Sequence, residues 1–326
     1  MRIFKRVLLG GLVLALCVVV GFRLAAGLRE SQALNAMVPE AGRLIETTMG
    51  RIYVEEAGPR DGPVLLFAHG TAAWSGLWRP TLTEMGERGW RAMAFDMPPF
   101  GFSDHAPDGD YRRLVQAQRI LALIEALETR PVLVAHSVGA GPGVEAVMLS
   151  PEAFAGLVVV DGAIGLNGHE SGGSMPFILR CRVLREAAVA LTMTNPLLTG
   201  HFLRGLIHVK EAATPDIVTI LTRPFAREGT TRAYAQWLPS LLVPPVGARS
   251  TRPEAYRALE VPTVYIWGTE DTVTPLSQGQ ELTALTPGAQ LITLPGIGHI
   301  PQIEDRAAFS LALSRALGLI APDVAK

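Results

Sequence analysis

The chain has 326 residues, with 29 basic and 30 acidic side chains, a net charge of −1 and no long run of either sign. It therefore suggests no cationic surface for nucleic acid, and neither DNA nor RNA is expected as a partner. Its only cysteines, Cys17 and Cys181, are separated by most of the N-terminal half, and Cys17 lies inside an apolar run, so no disulfide is expected and cysteine content says nothing about compartment.

The N-terminus carries Arg2, Lys5 and Arg6, followed by Val7 to Phe22 without a charge. As a helix this run is roughly 24 Å long at about 1.5 Å per residue, and Leu24 to Leu28 extends its apolar surface toward the roughly 30 Å of a bilayer core. The basic start places the N-terminus in the cytoplasm, with the rest of the chain on the extracytoplasmic side. A cleaved signal, leaving a secreted or periplasmic protein, is the alternative, but Leu24-Ala25-Ala26-Gly27 is a poor cleavage pattern, and Leu16 before Cys17 does not suit a lipoprotein. Residues 1–30 are thus read as an anchor or signal segment.

After a polar stretch from Arg29 to Glu46, short apolar runs alternate with amphipathic ones. Ile52–Glu56, Val64–Ala68, Arg91–Asp96, Pro131–Ala135, Leu157–Asp161, Val261–Trp267 and Gln290–Leu294 read as strands, most of them apolar enough to be covered on both faces. Tyr111 to Leu127 has helical spacing through Leu114, Ala117, Leu121, Ile124 and Leu127. Alternating strands and helices predict an α/β fold with a mostly parallel central sheet and right-handed crossovers. Leu166 to Glu260 breaks the alternation with helical, proline-containing sequence and no clear strand; so long a connection is rarely structureless. The division is therefore a core of residues 40–165 and 261–320, with a cap over 166–260.

Three segments carry chemistry. After the strand PVLVA, Ala135-His136-Ser137-Val138-Gly139 puts a serine in a strand-to-helix turn, where residues two before and two after must be small. Phe67-Ala68-His69-Gly70-Thr71 ends another strand. Gly70 lets the Thr71 N–H face a developing oxyanion, with the Val138 N–H as the second donor. His69 reads as a structural residue holding that loop. Gly298-His299 follows the last strand, and Gly268-Thr269-Glu270-Asp271 follows the one before it, supplying a base and an orienting carboxylate in the order Ser137, Asp271, His299. Asp161 is a second possible acid, and Glu270 reads as a solvated neighbour.

On these segments, together with FDMPPFGFSD at 95–104, WGTEDTVTP at 267–275 and GIGHIPQIED at 296–305, the chain resembles the α/β-hydrolase family with a cap domain, over roughly residues 44–318. The resemblance implies Ser137 as nucleophile, His299 as general base and acid, Asp271 as the orienting carboxylate, and Thr71 and Val138 as oxyanion donors. Pro99 stands where the family usually has glycine, and Asp96 and Ser103 read as structural. Relatives that dehalogenate or open epoxides carry Asp at the elbow, which Ser137 argues against. Carbon–carbon bond hydrolases commonly have an aromatic residue where Ile300 stands. The expected activity is hydrolysis of a small to medium apolar carboxylic ester through an acyl-enzyme, with a carbon–carbon hydrolase or lipase as alternative, and a non-catalytic ligand receptor on the same fold as the rival of another class.

No metal or organic cofactor is required: His169, His201 and His208 in the cap lack ligand spacing. Apolar cap residues such as Met175, Phe177, Ile178, Leu179, Leu197, Leu198, Phe202 and Trp237 are available for an acyl pocket, though most are expected in the cap's own core. Arg180 and Arg182 read as solvent-facing. The expected partners are an ester substrate and a membrane.

Overall fold

A computed structural model describes residues 2–167 and 174–321. Its centre is one eight-stranded sheet: β1 (Gly42–Thr47), β2 (Gly50–Ala57), β3 (Val64–Ala68), β4 (Arg91–Phe95), β5 (Val132–His136), β6 (Gly156–Val160), β7 (Thr263–Gly268) and β8 (Gln290–Leu294). The order is β1-β2-β4-β3-β5-β6-β7-β8, with β2 antiparallel to both its neighbours and every pair from β4 to β8 parallel. All seven strands expected from the apolar runs form, with ends shifted by at most a few residues. β1 was not expected, because only Ile45 of its six residues is buried. An edge strand in contact with solvent carries little apolar signal.

The alternation of side chains explains how the sheet is covered. Leu66, Ala68, Leu133, Ala135, Tyr265 and Trp267 point to one face and pack against the helices Arg113–Ala126, Ala140–Leu149 and Leu276–Leu285. Leu65, Phe67, Val132, Val134, Val264 and Ile266 point to the other, against Arg79–Glu87 and Arg306–Ile320. Period-2 alternation with both phases apolar is what a sheet buried on two sides requires. The helix expected at Tyr111–Leu127 runs from Arg113 to Ala126.

Between β6 and β7 the described residues hold the helices Arg182–Leu191, Pro196–Leu206, Pro215–Thr222 and Thr230–Leu242, and no strand. Their starts are written locally: the Asn195 side chain accepts from the Leu197 N–H at 3.1 Å and Thr214 from the Ile217 N–H at 3.3 Å, each with proline as the first helical residue. Trp237 and Tyr234 pack with Phe100 in a cluster that joins this segment to the loop after β4.

The N-terminal helix runs from Arg2 to Arg29; its stretch Leu9–Arg29, 21 residues with a mean hydropathy of 2.3, is long and apolar enough to cross a membrane. Among its described side chains, those of the last turns dock on the rest of the protein. Arg23 pairs with Glu186 at 3.0 Å, Ala26 is fully buried, the Arg29 Nε donates to the Phe225 carbonyl at 3.2 Å, and Glu30 accepts the Thr231 N–H at 3.1 Å.

Candidate active site

The parallel strands deliver their C-terminal ends to one edge, where the loops after β3, β5, β7 and β8 meet. Ser137 follows β5 directly with φ +51°, a left-handed backbone that makes the sharp turn into the helix Ala140–Leu149. The reversal brings other chain segments very close. A Cβ on Gly139 would lie 2.5 Å from the His69 carbonyl oxygen, and one on Gly70 would lie 2.9 Å from the Ser137 Cβ. Both glycines are needed for that approach.

The three residues expected to meet do so. His299 Nε2 is 2.8 Å from Ser137 Oγ, and His299 Nδ1 is 2.8 Å from Asp271 Oδ2. All three are buried. Asp271 is held in turn by the N–H groups of Val273 (2.7 Å) and Thr274 (3.0 Å) on Oδ1 and by the Thr274 hydroxyl (2.7 Å) on Oδ2. Burial alone would push this carboxyl up. The imidazole and the Thr274 donors outweigh burial and hold it below the usual aspartate range, so it is an anion facing Nδ1. Thr71 and Val138 line the same cavity as Ser137 and His299.

Asp161, the other carboxylate considered, ends β6 with φ +43° and does not reach the imidazole. Its Oδ1 accepts the Gly268 N–H at 2.8 Å, its carbonyl oxygen lies 3.1 Å from the Thr274 hydroxyl whose proton goes to Asp271, and its Oδ2 is buried without a partner. Burial, and then the negative charge of Asp271, push its pKa well above the ordinary value, the opposite direction to Asp271. Glu270 is exposed. His69 matches its structural reading: Nε2 accepts the Met97 N–H at 3.0 Å, Nδ1 donates to the Gly70 carbonyl at 2.8 Å, and burial pushes the ring down to about 4. Asp96 and Ser103 likewise stitch the loop after β4, Asp96 accepting from the Ser75 and Phe102 N–H groups and the Ser103 hydroxyl accepting the Tyr53 N–H. His201 and His208 are exposed, and His169 lies outside the described residues.

Two supporting residues escaped sequence reasoning. His136, between Ala135 and Ser137, donates from Nε2 to the His299 carbonyl at 2.8 Å and so pins the main chain of the residue whose ring meets Ser137. Glu304 accepts four backbone N–H groups: those of Gly298 (2.9 Å), His208 (2.7 Å) and Val209 (2.9 Å) on Oε2 and of Ile300 (3.0 Å) on Oε1. It ties the loop around His299 to the segment between β6 and β7. Its only sequence signal is its place in GIGHIPQIED, five residues after His299.

Above Ser137 lies a cavity of about 450 Å³, walled by Met193, Phe202, Leu203, Leu221, Phe225 and Leu241 among others. Of the apolar residues considered for such a pocket, Phe202 is in its wall, and Trp237 is in a buried cluster. Phe177 and Leu197, expected to pack, are instead each 86% exposed. Both sit in or at the start of short helical segments on the outer side of this region, where helical spacing could not say which neighbours would cover them.

A serine at a positive-φ turn, an imidazole and an anionic carboxylate in line, on the C-terminal edge of a mostly parallel sheet, define a hydrolase of α/β architecture. The chain belongs to the alpha/beta hydrolase family, whose profile its sequence matches over residues 65–312. It is 25% identical over 304 residues to LipZ of Mycobacterium tuberculosis, with 84% of this chain and 94% of that protein covered. It is 27% identical over 281 residues to the 2-hydroxymuconate semialdehyde hydrolase of a Pseudomonas species, covering 83% and 92%. Among solved structures, a membrane phospholipase A superposes with a TM-score of 0.65 at 19% identity over 98% of this chain and 99% of that one. The serine hydrolase CarC of carbazole degradation gives 0.68 at 22% identity over 85% and 98%. At these identities the structural likeness speaks for the fold.

Proposed function

We propose that the protein is a serine esterase anchored by its N-terminal helix. The observation that carries the reading is the unbroken Ser137–His299–Asp271 line, 2.8 Å at each step, at the floor of an apolar cavity. Ser137 Oγ attacks the ester carbonyl carbon while its proton passes to His299 Nε2. The oxyanion so formed takes the N–H groups of Thr71 and Val138, each worth about 3 kcal/mol or more in the transition state. His299 then gives its proton to the departing alcohol oxygen as the C–O bond breaks, leaving an acyl group on Ser137. Water attacks that acyl carbon with His299 as base, the acid departs, and Ser137 recovers its proton. Asp271 keeps Nδ1 protonated throughout and stabilises the charged ring.

The cavity's apolar wall suits the acyl or alcohol part of a small to medium ester. A second reading, hydrolysis of a carbon–carbon bond, is kept open by the relative named 2-hydroxymuconate semialdehyde hydrolase. The described wall contains no arginine or lysine, so an anionic substrate would find no countercharge there, and this favours the neutral ester. The basic N-terminus and apolar helix support an extracytoplasmic catalytic domain.

Labelling of the full-length protein with a fluorophosphonate, followed by a panel of p-nitrophenyl esters, tests this function. We expect labelling of the wild type, none of Ser137→Ala, and turnover fastest on short to medium acyl chains. A folded wild type that takes no label would point to a receptor on a hydrolase fold.

A further inference from the structure

The docked end of the N-terminal helix lies against the segment between β6 and β7 in a specific way. Val183, 65% exposed and near the start of the helix Arg182–Leu191, lines a shallow groove together with Val19, Val20, Leu24 and Leu28. Val19 and Val20 belong to the charge-free run itself. A lipid layer that covers that run up to its last turn therefore also reaches Val183. The N-terminal helix needs such a cover: only 6% of its most apolar window is buried in the protein, and Leu9, Leu14, Leu16 and Leu24 are each more than 60% exposed.

The surface around Val183 has the composition of a membrane interface. Phe177 is 86% exposed and Leu184 is 39% exposed, while Arg180 and Arg182 beside them are exposed and Arg185 is half-buried. Large apolar side chains interleaved with arginines suit the boundary where acyl chains end and headgroups begin. The position is locked, because Glu186 accepts Arg23 of the N-terminal helix at 3.0 Å and Arg182 at 2.8 Å.

The same elements lead to the cavity. The helix Arg182–Leu191 spans roughly 15 Å at about 1.5 Å per residue. Thr192 and Met193 at its far end line the cavity above Ser137. Phe225, also in that lining, gives its carbonyl to Arg29 at the base of the N-terminal helix.

We propose that Phe177, Val183 and Leu184, with Arg180, Arg182 and Arg185, form a second membrane contact beside the anchor, and that the cavity draws its substrate, an apolar ester dissolved in the bilayer, from that contact. This rests on the reading of the N-terminal helix as an anchor and of Ser137 as an esterase nucleophile. The test uses full-length protein in nanodiscs of phosphatidylcholine and phosphatidylglycerol, with Cys17→Ser and Cys181→Ser as background. An environment-sensitive fluorophore is attached through Val13→Cys, Val183→Cys or Glu270→Cys, one at a time, and quenched by spin-labelled lipid.

Quenching at 13 and at 183, with little at 270, is expected. Quenching at 13 with a response at 183 like that at 270 overturns the contact while leaving the anchor standing. No quenching at 13 overturns the anchor reading beneath it. The double variant Phe177→Glu, Val183→Glu then tests supply: turnover of a medium-chain ester, p-nitrophenyl octanoate, partitioned into the nanodisc should fall about tenfold or more, because two carboxylates are placed in the headgroup layer, with p-nitrophenyl acetate turnover unchanged. Equal losses on both substrates, or none on either, would refute the supply route; lost turnover of acetate by the unsubstituted protein would instead count against the esterase reading.

Discussion

Ser137 adopts a left-handed backbone that costs an L-residue about 1–2 kcal/mol, and it keeps that conformation because its neighbours leave no alternative. Gly70 and Gly139 admit the crossing chains, and His136 on the preceding residue is bonded to the His299 main chain. The two carboxyls nearby are separated in character by their donors. Asp271 collects the imidazole and three donors from Val273 and Thr274, which hold its pKa down, whereas Asp161 has one backbone donor and a buried, partnerless oxygen, and burial pushes its pKa up. Asp271→Asn should therefore lower kcat by about 10⁴ with the fold intact, since the amide presents the wrong group to Nδ1. Asp161→Asn, an isosteric exchange at a residue whose contacts are to Gly268 and Thr274 and not to the imidazole, should leave kcat within about threefold. Steady-state kinetics on both variants checks the pair; the reverse ranking would move the orienting carboxylate to β6.

The loop that carries His299 is steered by the short helical turn behind it. Glu304 sits in that turn, Pro301–Glu304, and its two oxygens receive N–H groups from both sides of His299 and from His208 and Val209 across the gap. A glutamine there has one acceptor oxygen for four donors, and the bonds lost are charge-assisted ones worth about 1.5–3 kcal/mol. Glu304→Gln should lower the melting temperature, and it should depress kcat more than it raises KM, because the imbalance displaces His299 and leaves the wall of the cavity in place. Thermal unfolding and kinetics on the same preparation measure both. A loss confined to stability would make Glu304 a brace for the fold with no bearing on the imidazole.

Across the molecule, burial sets an opposition between histidines and carboxyls. His69, His105 and His136 are pushed down by burial to about 4, about 3 and about 3, against about 6.5 in the unfolded chain. Between pH 4 and 6.5 the unfolded chain binds three protons there that the folded one refuses, so their contribution is present above about 6.5 and is lost on acidification. Asp96, pushed up by burial to about 7, and Asp161 act in the other direction, since the folded state holds their protons longer. The three histidines outnumber these carboxyls, so stability should rise from about pH 4.5 to 5.5, and the rise should flatten toward pH 6.5 as the unfolded histidines lose their own protons. The denaturant midpoint should be higher at about pH 5.5 than at about pH 4.5; an equal or lower midpoint at the higher pH would mean that the buried histidines open to solvent.

Much of this architecture could be read in the chain itself, and the reasons are physical. Strands buried on two faces must be apolar at every position, so VLLFA and LVVVD announce themselves, while the edge strand β1, with one buried residue, does not. Ser137, Asp271 and His299 were legible because a turn at a strand end demands particular small neighbours, and those demands are local. His136 and Glu304 were not, since nothing near them in sequence says which distant carbonyl or N–H they will meet. Nor could helical period tell that Phe177 and Leu197 would stay exposed while Trp237 is buried: both kinds of site ask for a large apolar side chain, and the covering surface belongs to other parts of the chain. Composition and short-range geometry thus determine which elements form and where reactive groups stand at their ends. Which of those groups touch, which carboxyl has its pKa raised and which apolar face is left uncovered depend on contacts between residues far apart in the sequence, and only folding brings these together.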